Sequence, residues 1–193
     1  MTTTIGLIRH GSTFWNKEGR VQGITDNPLD AEGLEQAEAI AERLSGETWD
    51  YLYSSDLLRA RQTAETISRR LGMEIAGLVP GMREMDGGLI EGTNEQERVE
   101  RWGKDWKALD LGLESPDLAE QRGRQAIEEL AERHPGKNVL IVSHGALLRN
   151  TLRGLVPSLD VHELLKNTSI TRVVKNDGIW SCELYNCIEH LSD

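Results

Sequence analysis

Short apolar runs alternate with segments of helical periodicity along most of the chain. The apolar runs at 5–9 and 139–143 each lead to a glycine, at Gly11 and Gly145, which is typical of buried parallel strands that open into a loop. Further strands are predicted over 51–54, 170–175 and 179–185, and helices over 31–44, 57–71, 94–109, 116–133 and 146–155. Strands alternating with helices predict an α/β layered fold, and an Asn-Asp-Gly hairpin signal between the last two strands makes the sheet mixed.

The chain of 193 residues is long enough for one domain and short for two. Hydrophobic residues make up 38% and charged residues 28%, which is the ordinary composition of a globular protein with a packed core. No repeat and no linker rich in serine, proline or glycine divides the sequence. We therefore predict a single domain over residues 1–193.

Charge and hydropathy argue against several classes of partner. The net charge of −10 repels nucleic acid and anionic membranes, so neither is expected as a partner. No apolar run approaches the roughly twenty residues of a membrane span, and no leader precedes Arg9, which predicts a cytoplasmic protein. Cys182 and Cys187 are too few for a disulfide framework or a tetrathiolate zinc site, so we expect them to pack in the fold.

Two of the predicted strands end in the same way, with a histidine followed by a glycine. The first strand leads to His10 and Gly11, and the later one to His144 and Gly145. Ligands bind at the carboxyl ends of strands in α/β sheets, where glycine lets backbone amides approach a ligand. A helix that starts near Gly145 adds its positive N-terminal end. The pattern therefore favours an anionic ligand.

Two further segments carry groups suited to such an anion. Arg59 follows the predicted strand at 51–54 and lies in the first turns of a helix, which brings a guanidinium towards the same sheet edge. The segment 83–92 places Glu84 and other carboxylates among glycines, which is typical of a functional loop. The other histidines are assigned no function: His134 is expected at a helix end beside the dipole, and His162 and His190 in polar surroundings.

Four motifs together resemble those of the histidine phosphatase superfamily, the phosphoglycerate-mutase-like proteins, over almost the whole chain. The motifs are Arg9-His10-Gly11-Ser12-Thr13-Phe14-Trp15-Asn16, with matching loop residues at 19–23, 26–29 and 33; Ser55 to Ala64; Glu84 to Gly92; and Val142 to Gly145. The resemblance implies that family's fold, a three-layer α/β/α sandwich with a mostly parallel mixed central sheet. It also implies a metal-independent phosphomonoester phosphatase that requires no cofactor.

The resemblance further implies catalytic roles. By it, His10 is the nucleophile that becomes phosphorylated on a ring nitrogen, and Glu84 is the acid that protonates the leaving oxygen. Arg9, Arg59 and a protonated His144 would surround the transferred phosphoryl group. Fixed donors around the three equatorial oxygens are the main physical requirement of this reaction, and these groups supply them without a metal.

Substrate contacts follow from the same resemblance. The residues at the substrate end are Asn16, Gln22 and Gly23, beside Arg9, His10, Arg59, Glu84, His144 and Gly145 around the phosphoryl group. The implied substrate is a small phosphorylated metabolite, and the product is inorganic phosphate. A homodimer is left open. Trp102 and Trp106, four residues apart on a predicted helix, are expected to pack in the core or to cap the substrate pocket.

Three other functions compete with the phosphatase. A phosphoglycerate mutase must retain a second phosphate, for which the acidic segment 94–97 has the wrong sign of charge. A phosphoester-binding module without turnover has no need of both His10 and Glu84. A metal hydrolase built on the two strand-end histidines lacks any accompanying ligand spacing. Ile90, where many relatives have tryptophan, changes a pocket wall and leaves the substrate's alcohol half undetermined.

Overall fold

A six-stranded sheet forms the centre of the structure, a computed structural model that describes residues 1–191. The strands are β1 (Thr3–Arg9), β2 (Tyr51–Ser54), β3 (Ile75–Leu78), β4 (Asn138–Ser143), β5 (Ile170–Asn176) and β6 (Ile179–Cys187), in the spatial order β3-β2-β4-β1-β5-β6. Strands β1 to β4 run parallel to one another, whereas β5 pairs antiparallel with β1 and β6 antiparallel with β5. The prediction of a mostly parallel mixed sheet is confirmed.

Helices cover both faces of the sheet. They are α1 (Phe14–Lys17), α2 (Ala31–Leu44), α3 (Leu58–Leu71), α4 (Glu95–Trp102), α5 (Pro116–Arg133) and α6 (Gly145–Leu155). Helices α5 and α6 pack against one face, and α2 and α3 against the other. Neighbouring residues Ile141 and Val142 of β4 are both fully buried but belong to these two different cores, because side chains alternate along a strand. The three-layer α/β/α sandwich is therefore confirmed.

The predicted helix signals act locally as expected. The Asp30 side chain accepts a hydrogen bond from the backbone N–H of Gly33 at the start of α2. Ser115 caps α5 in the same way, with Pro116 at the first helical position. Helix α3 ends at Gly72, whose φ of 65° is the left-handed conformation that glycine adopts without strain.

The predicted helix over 94–109 is wrong in its second half. Helix α4 stops at Trp102, because Gly103 takes a φ of 86°, and a separate 3-10 turn follows at Trp106–Ala108. The short strand β3 was not predicted. Its burial alternates between half-buried and exposed over only four residues at the sheet edge, which leaves a weak sequence pattern.

The register of the parallel strands brings three motifs to one edge of the sheet. Arg9, the last residue of β1, lies opposite Ser143 of β4, and Ser54 of β2 lies opposite Val142. The backbone N–H of His10 continues this ladder with a 2.9 Å hydrogen bond to the carbonyl of Ser143. The residues that follow β1, β2 and β4 therefore lie side by side. Within residues 1–191, no helix is both long enough and apolar enough to cross a bilayer.

His134 lies at a helix end, as predicted, and also packs against the sheet. It follows α5, its Nε2 lies 2.8 Å from the hydroxyl of Tyr53 and its ring stacks on Tyr51. Burial, and then the charge of Arg133, lower the pKa of His134 below its ordinary value. Protonation of His134 is thereby disfavoured, and its ring packs between α5 and the sheet.

Candidate active site

A cavity of about 340 Å³ opens at the carboxyl edge of the parallel strands. All but one of the residues assigned above to the site line this cavity. The lining residues are Arg9, His10, Asn16, Gln22, Gly23, Arg59, Glu84 and Gly145. The exception is His144, which is fully buried behind His10, with the two ring centroids 5.2 Å apart. Among residues 1–191, no group of three or more His, Cys, Asp or Glu side chains is placed to hold a metal ion.

The ring of His10 is held in one tautomer. Its Nδ1 lies 2.7 Å from the carbonyl oxygen of Gly11, and because a carbonyl only accepts, Nδ1 carries the proton. The lone pair is then on Nε2, which lies 3.3 Å from Nε of Arg59. Burial, followed by the charges of Arg59 and Arg9, lowers the pKa of His10 well below its ordinary value. His10 therefore offers a neutral, nucleophilic Nε2.

The guanidinium of Arg59 is buried and fixed by backbone carbonyls. Nη1 donates to the carbonyl of Thr25 at 2.8 Å, and Nη2 donates to that of Gly23 at 2.7 Å. Burial lowers the pKa of Arg59 to about 10, so it remains a cation at neutral pH. With Nε directed at His10, one N–H on each terminal nitrogen is left for a ligand.

Arg9 is placed against the first turn of α6. Its Nη1 donates to the carbonyl of Leu165, and its Nε has no hydrogen-bond partner among the residues described. A Cβ at Gly145 would lie 3.2 Å from Nε of Arg9, so glycine allows the guanidinium to approach the helix backbone. Burial lowers the pKa of Arg9, and the charge of Glu84 opposes that effect. Arg9 thus adds a second fixed cation to the cavity.

The surroundings of His144 disfavour a charge on its ring. Its Nε2 shares a 2.8 Å hydrogen bond with Oγ of Ser55, and complete burial lowers its pKa well below the ordinary value. The nearby charges of Arg59 and Arg9 act in the same direction. Burial thus disfavours the protonated imidazole, because a buried charge loses its solvation.

Glu84 is held by the start of α6. Its Oε1 accepts hydrogen bonds from the backbone N–H groups of Met85 at 2.9 Å and Leu147 at 2.8 Å, and Oε2 accepts from Ala146 at 3.2 Å. Arg83 turns away and pairs with Asp56. Backbone N–H groups from two segments therefore fix the Glu84 carboxyl at the cavity wall, and Arg83 takes no part in holding it.

Glu91, the other glutamate of the same loop, shapes the cavity without lining it. Its carboxylate accepts backbone hydrogen bonds from Ile24, Thr25 and Gly87, at 2.9, 3.0 and 2.9 Å. Gly23 lies against it with a φ of 50°, and a Cβ there would be 1.8 Å from Glu91 Oε1. Glu91 thus holds together the two loops whose carbonyls and side chains surround Arg59.

The amide side chains at the substrate end share one threonine. Thr13 Oγ1 donates to Oε1 of Gln22 at 2.9 Å, and the Thr13 backbone N–H donates to Oδ1 of Asn16 at 3.1 Å. Both amide oxygens are therefore engaged. The groups that Asn16 and Gln22 offer to the cavity are their NH₂ donors, which suit an anion.

Several cavity residues were not predicted from the sequence. They are Arg20, Val21, Met85, Asp86, Gly87, Leu113, Glu114, Ala146, Arg149, Leu164 and Leu165, besides Ile90, which was expected in the wall. Arg122 lies behind this wall, where it donates to the backbone carbonyls of Gly81, Arg83 and Glu84 and pairs with Glu114. Arg20, Val21, Met85, Asp86 and Gly87 lie inside the motif segments 19–23 and 84–92, which gave them no role. The other positions carry no motif, because they come together only through tertiary contacts.

Trp102 and Trp106 take the core alternative. Trp106 is buried in a small cluster with Ile90 and Leu111, and Trp102 packs against that cluster. Neither tryptophan lines the cavity, whereas Ile90 does. The two rings thus support one wall of the site from behind.

Comparison with known proteins shows the family to which the chain belongs. The family model of the histidine phosphatase superfamily (branch 1) matches residues 5–188. The chain belongs to that superfamily. It is 36% identical to a metal-independent phosphoserine phosphatase of Arabidopsis thaliana, over 98% of this chain and 84% of that one. A phosphoglycerate mutase-like protein 4 of the same plant is 32% identical, over 98% and 87%.

A solved structure of a histidine phosphatase has the same fold as this chain. The phosphoserine phosphatase of Entamoeba histolytica, crystallised with 3-phosphoglyceric acid, superimposes with a TM-score of 0.85 at 32% identity, covering 98% of this chain and 100% of that one. The activity of this histidine phosphatase is that of a metal-independent phosphatase acting on small phosphorylated metabolites.

Proposed function

We propose that this histidine phosphatase hydrolyses phosphomonoesters through a phosphohistidine on His10 and that its substrate carries a carboxylate, as phosphoserine and 3-phosphoglycerate do. The observation that supports the mechanism is the tautomer of His10, with Nδ1–H donated to Gly11 and Nε2 free of a proton beside Arg59. The carboxylate is supported by the ligands named for the relatives.

In the first half-reaction, Nε2 of His10 attacks phosphorus while the bond to the ester oxygen breaks. Arg9 and Arg59 bind the equatorial oxygens, over which the transition state spreads its charge. The carboxylic acid form of Glu84 gives a proton to the leaving alkoxide and becomes a carboxylate. The dianionic phosphoryl group also raises the tendency of His144 to take up a proton, since it brings an anion to a buried imidazole.

In the second half-reaction, water attacks the phosphohistidine. The Glu84 carboxylate accepts the proton from that water, the bond between phosphorus and Nε2 breaks, and inorganic phosphate leaves with His10 neutral again. The backbone donors of Met85, Ala146 and Leu147 keep the Glu84 carboxyl in one place through both steps. One carboxyl group thereby serves as acid and then as base.

A mutase requires extra cations that hold a second phosphate during transfer. Besides Arg9 and Arg59, two arginines line the cavity, Arg20 and Arg149. Arg20 already donates to both carboxylate oxygens of Glu97, at 2.6 and 2.9 Å, and to Glu18, so it is not free to hold a second phosphate. The smaller number of free cations favours release of phosphate over isomerisation. Product analysis with 3-phosphoglycerate separates the two: we expect free phosphate and glycerate, and formation of 2-phosphoglycerate would contradict the phosphatase assignment.

Trapping of the intermediate tests the proposed mechanism. Enzyme mixed with a radiolabelled phosphomonoester in the presence of EDTA and quenched in alkali should retain label as an acid-labile, alkali-stable phosphoenzyme. The label should be absent from His10→Ala and present in His162→Ala, whose side chain is exposed. Turnover without a labelled enzyme, or label retained by His10→Ala, would contradict the phosphohistidine proposal.

A further inference from the structure

One cation in the cavity has no partner. Four arginines line it: Arg9 and Arg59 beside His10, Arg20 in its ion pairs, and Arg149 on α6. Arg149 makes no hydrogen bond and no ion pair with any side chain or carbonyl of residues 1–191, although its side chain is half-buried. A guanidinium partly removed from water without an anion beside it is unfavourable, so this position suits an anionic ligand.

The position of Arg149 relates it to the phosphoryl end of the cavity. It follows Gly145 by four residues on the same helix, so the two lie on one face and their Cα atoms are about 6 Å apart along the axis. Long helical side chains lean towards the helix N-terminus, and the N-terminus of α6 is where Arg9 and Glu84 meet the helix backbone. Arg149 is therefore about one helical turn from the phosphoryl group.

We infer that Arg149 binds the carboxylate of a substrate whose phosphate lies between His10, Arg9 and Arg59. This inference rests on the proposed phosphatase function and names the residue that would select its substrate. The phosphoryl group has its own cations, and Arg20 is neutralised by Glu97, so Arg149 is left to meet a second anion. A guanidinium fork matches a planar carboxylate with two parallel hydrogen bonds. The selected class is small phosphomonoesters with a carboxylate two or three bonds from the ester oxygen.

Two pairs of substrates isolate this contact. Phosphoserine and phosphoethanolamine differ only by the carboxylate, and 3-phosphoglycerate and glycerol 3-phosphate differ by carboxylate against hydroxymethyl. We expect the unaltered enzyme to prefer the carboxylate member of each pair by about 10- to 100-fold in kcat/KM, the range of one charge-assisted contact. Arg149→Met should abolish that preference mainly by raising KM, and Arg149→Lys should keep part of it.

A matched control lies one turn further along α6. Arg153→Met removes the same charge from the same helix, but Arg153 pairs with Glu120 outside the cavity, so the preference should be unchanged. Preference for the carboxylate esters that survives in Arg149→Met, or no preference in the unaltered enzyme, would overturn the inference. An equal loss on all esters, including p-nitrophenyl phosphate, would also overturn it, because it would indicate a structural role.

The test of Arg149 can fail independently of the test of the phosphohistidine mechanism. Hydrolysis of p-nitrophenyl phosphate involves no carboxylate, and its loss in His10→Ala tests the phosphohistidine alone. If this hydrolysis depends on His10 while Arg149→Met leaves the ester preference intact, only the assignment of Arg149 fails. If it does not depend on His10, the mechanism fails whatever Arg149 does.

Discussion

Nε of Arg59 lies 3.3 Å from Nε2 of His10, the nitrogen that carries the lone pair. The Arg59 guanidinium therefore disfavours protonation of His10 and also lies beside the position that a phosphoryl group would occupy. Carbonyls of Gly23 and Thr25 hold the guanidinium in this place. Because those carbonyls belong to the loop that Glu91 fixes, the geometry of the nucleophile depends on contacts between segments far apart in the chain.

Arg59→Ala should weaken competitive inhibition by phosphate and by vanadate as well as turnover. Loss of a charge-assisted contact costs about 1.5 to 3 kcal/mol, or roughly 10- to 150-fold in the inhibition constant. The measurement is inhibition of p-nitrophenyl phosphate hydrolysis. Arg69→Ala, which removes an exposed charge from the same helix, is the control. Unchanged phosphate affinity in Arg59→Ala would show that the guanidinium does not meet the anion.

Glu84→Gln should distinguish esters by their leaving groups. Alkyl phosphates need a proton at the leaving oxygen and should lose about 10²- to 10⁴-fold, whereas p-nitrophenolate leaves without one. Rapid-mixing assays should show a burst of p-nitrophenol followed by slow turnover, because dephosphorylation of His10 still needs a base. Glu91→Gln is the comparison, since its carboxylate binds loop amides outside the cavity. An equal loss on both esters without a burst would make Glu84 structural.

Gly23→Ala should impair the site more than a backbone penalty alone. At φ 50° an alanine costs roughly 1–2 kcal/mol, and its Cβ would also overlap the Glu91 carboxylate, displacing the carbonyl that holds Arg59. Gly19→Ala is the matched control: its φ is 62° and no atom lies within 4 Å of the added Cβ. We expect the urea midpoint to fall in both variants from the backbone conformation, and further in Gly23→Ala because of the overlap, with a fall in kcat/KM only for Gly23→Ala. Equal activity in both variants would contradict the role of this loop.

Stability should fall as the pH drops below about 6.5, the ordinary pKa of histidine. The pKa values of His10 and His144 are lowered in the fold, so the unfolded chain binds protons that the folded chain does not. Each such histidine contributes about 1.4 kcal/mol per pH unit between the two pKa values, and the free energy of unfolding rises with pH over that window.

Urea unfolding at several pH values measures this dependence. His144→Gln should reduce the slope by about one proton relative to the unaltered protein. His190, whose pKa is lowered to about 4, adds a slope of the same sign in both proteins. A slope unchanged by His144→Gln would mean that His144 is protonated in the folded protein.

The sequence by itself determined the layered α/β fold, and its resemblance to a known family implied the three-layer sandwich and the residues that meet at the sheet edge. Apolar runs that end in His-Gly give β1 and β4, and capping residues such as Asp30 and Ser115 place the helices, because these signals act through neighbouring atoms. Parallel strands bring their carboxyl ends together, so His10 and His144 meet once the strand order is set.

Tertiary structure alone decided the electrostatics and the supporting contacts. The lowered pKa of His144 follows from its complete burial beside His10, and desolvation is a property of the packed surroundings rather than of a motif. Glu84 and Glu91 are both glutamates of one loop, and the sequence does not distinguish their partners. Glu84 accepts hydrogen bonds from the first amides of α6, whereas Glu91 accepts them from a loop some 65 residues away. Arg149 carries no signal in the sequence, because its lack of a partner is visible only when every neighbouring side chain has been placed.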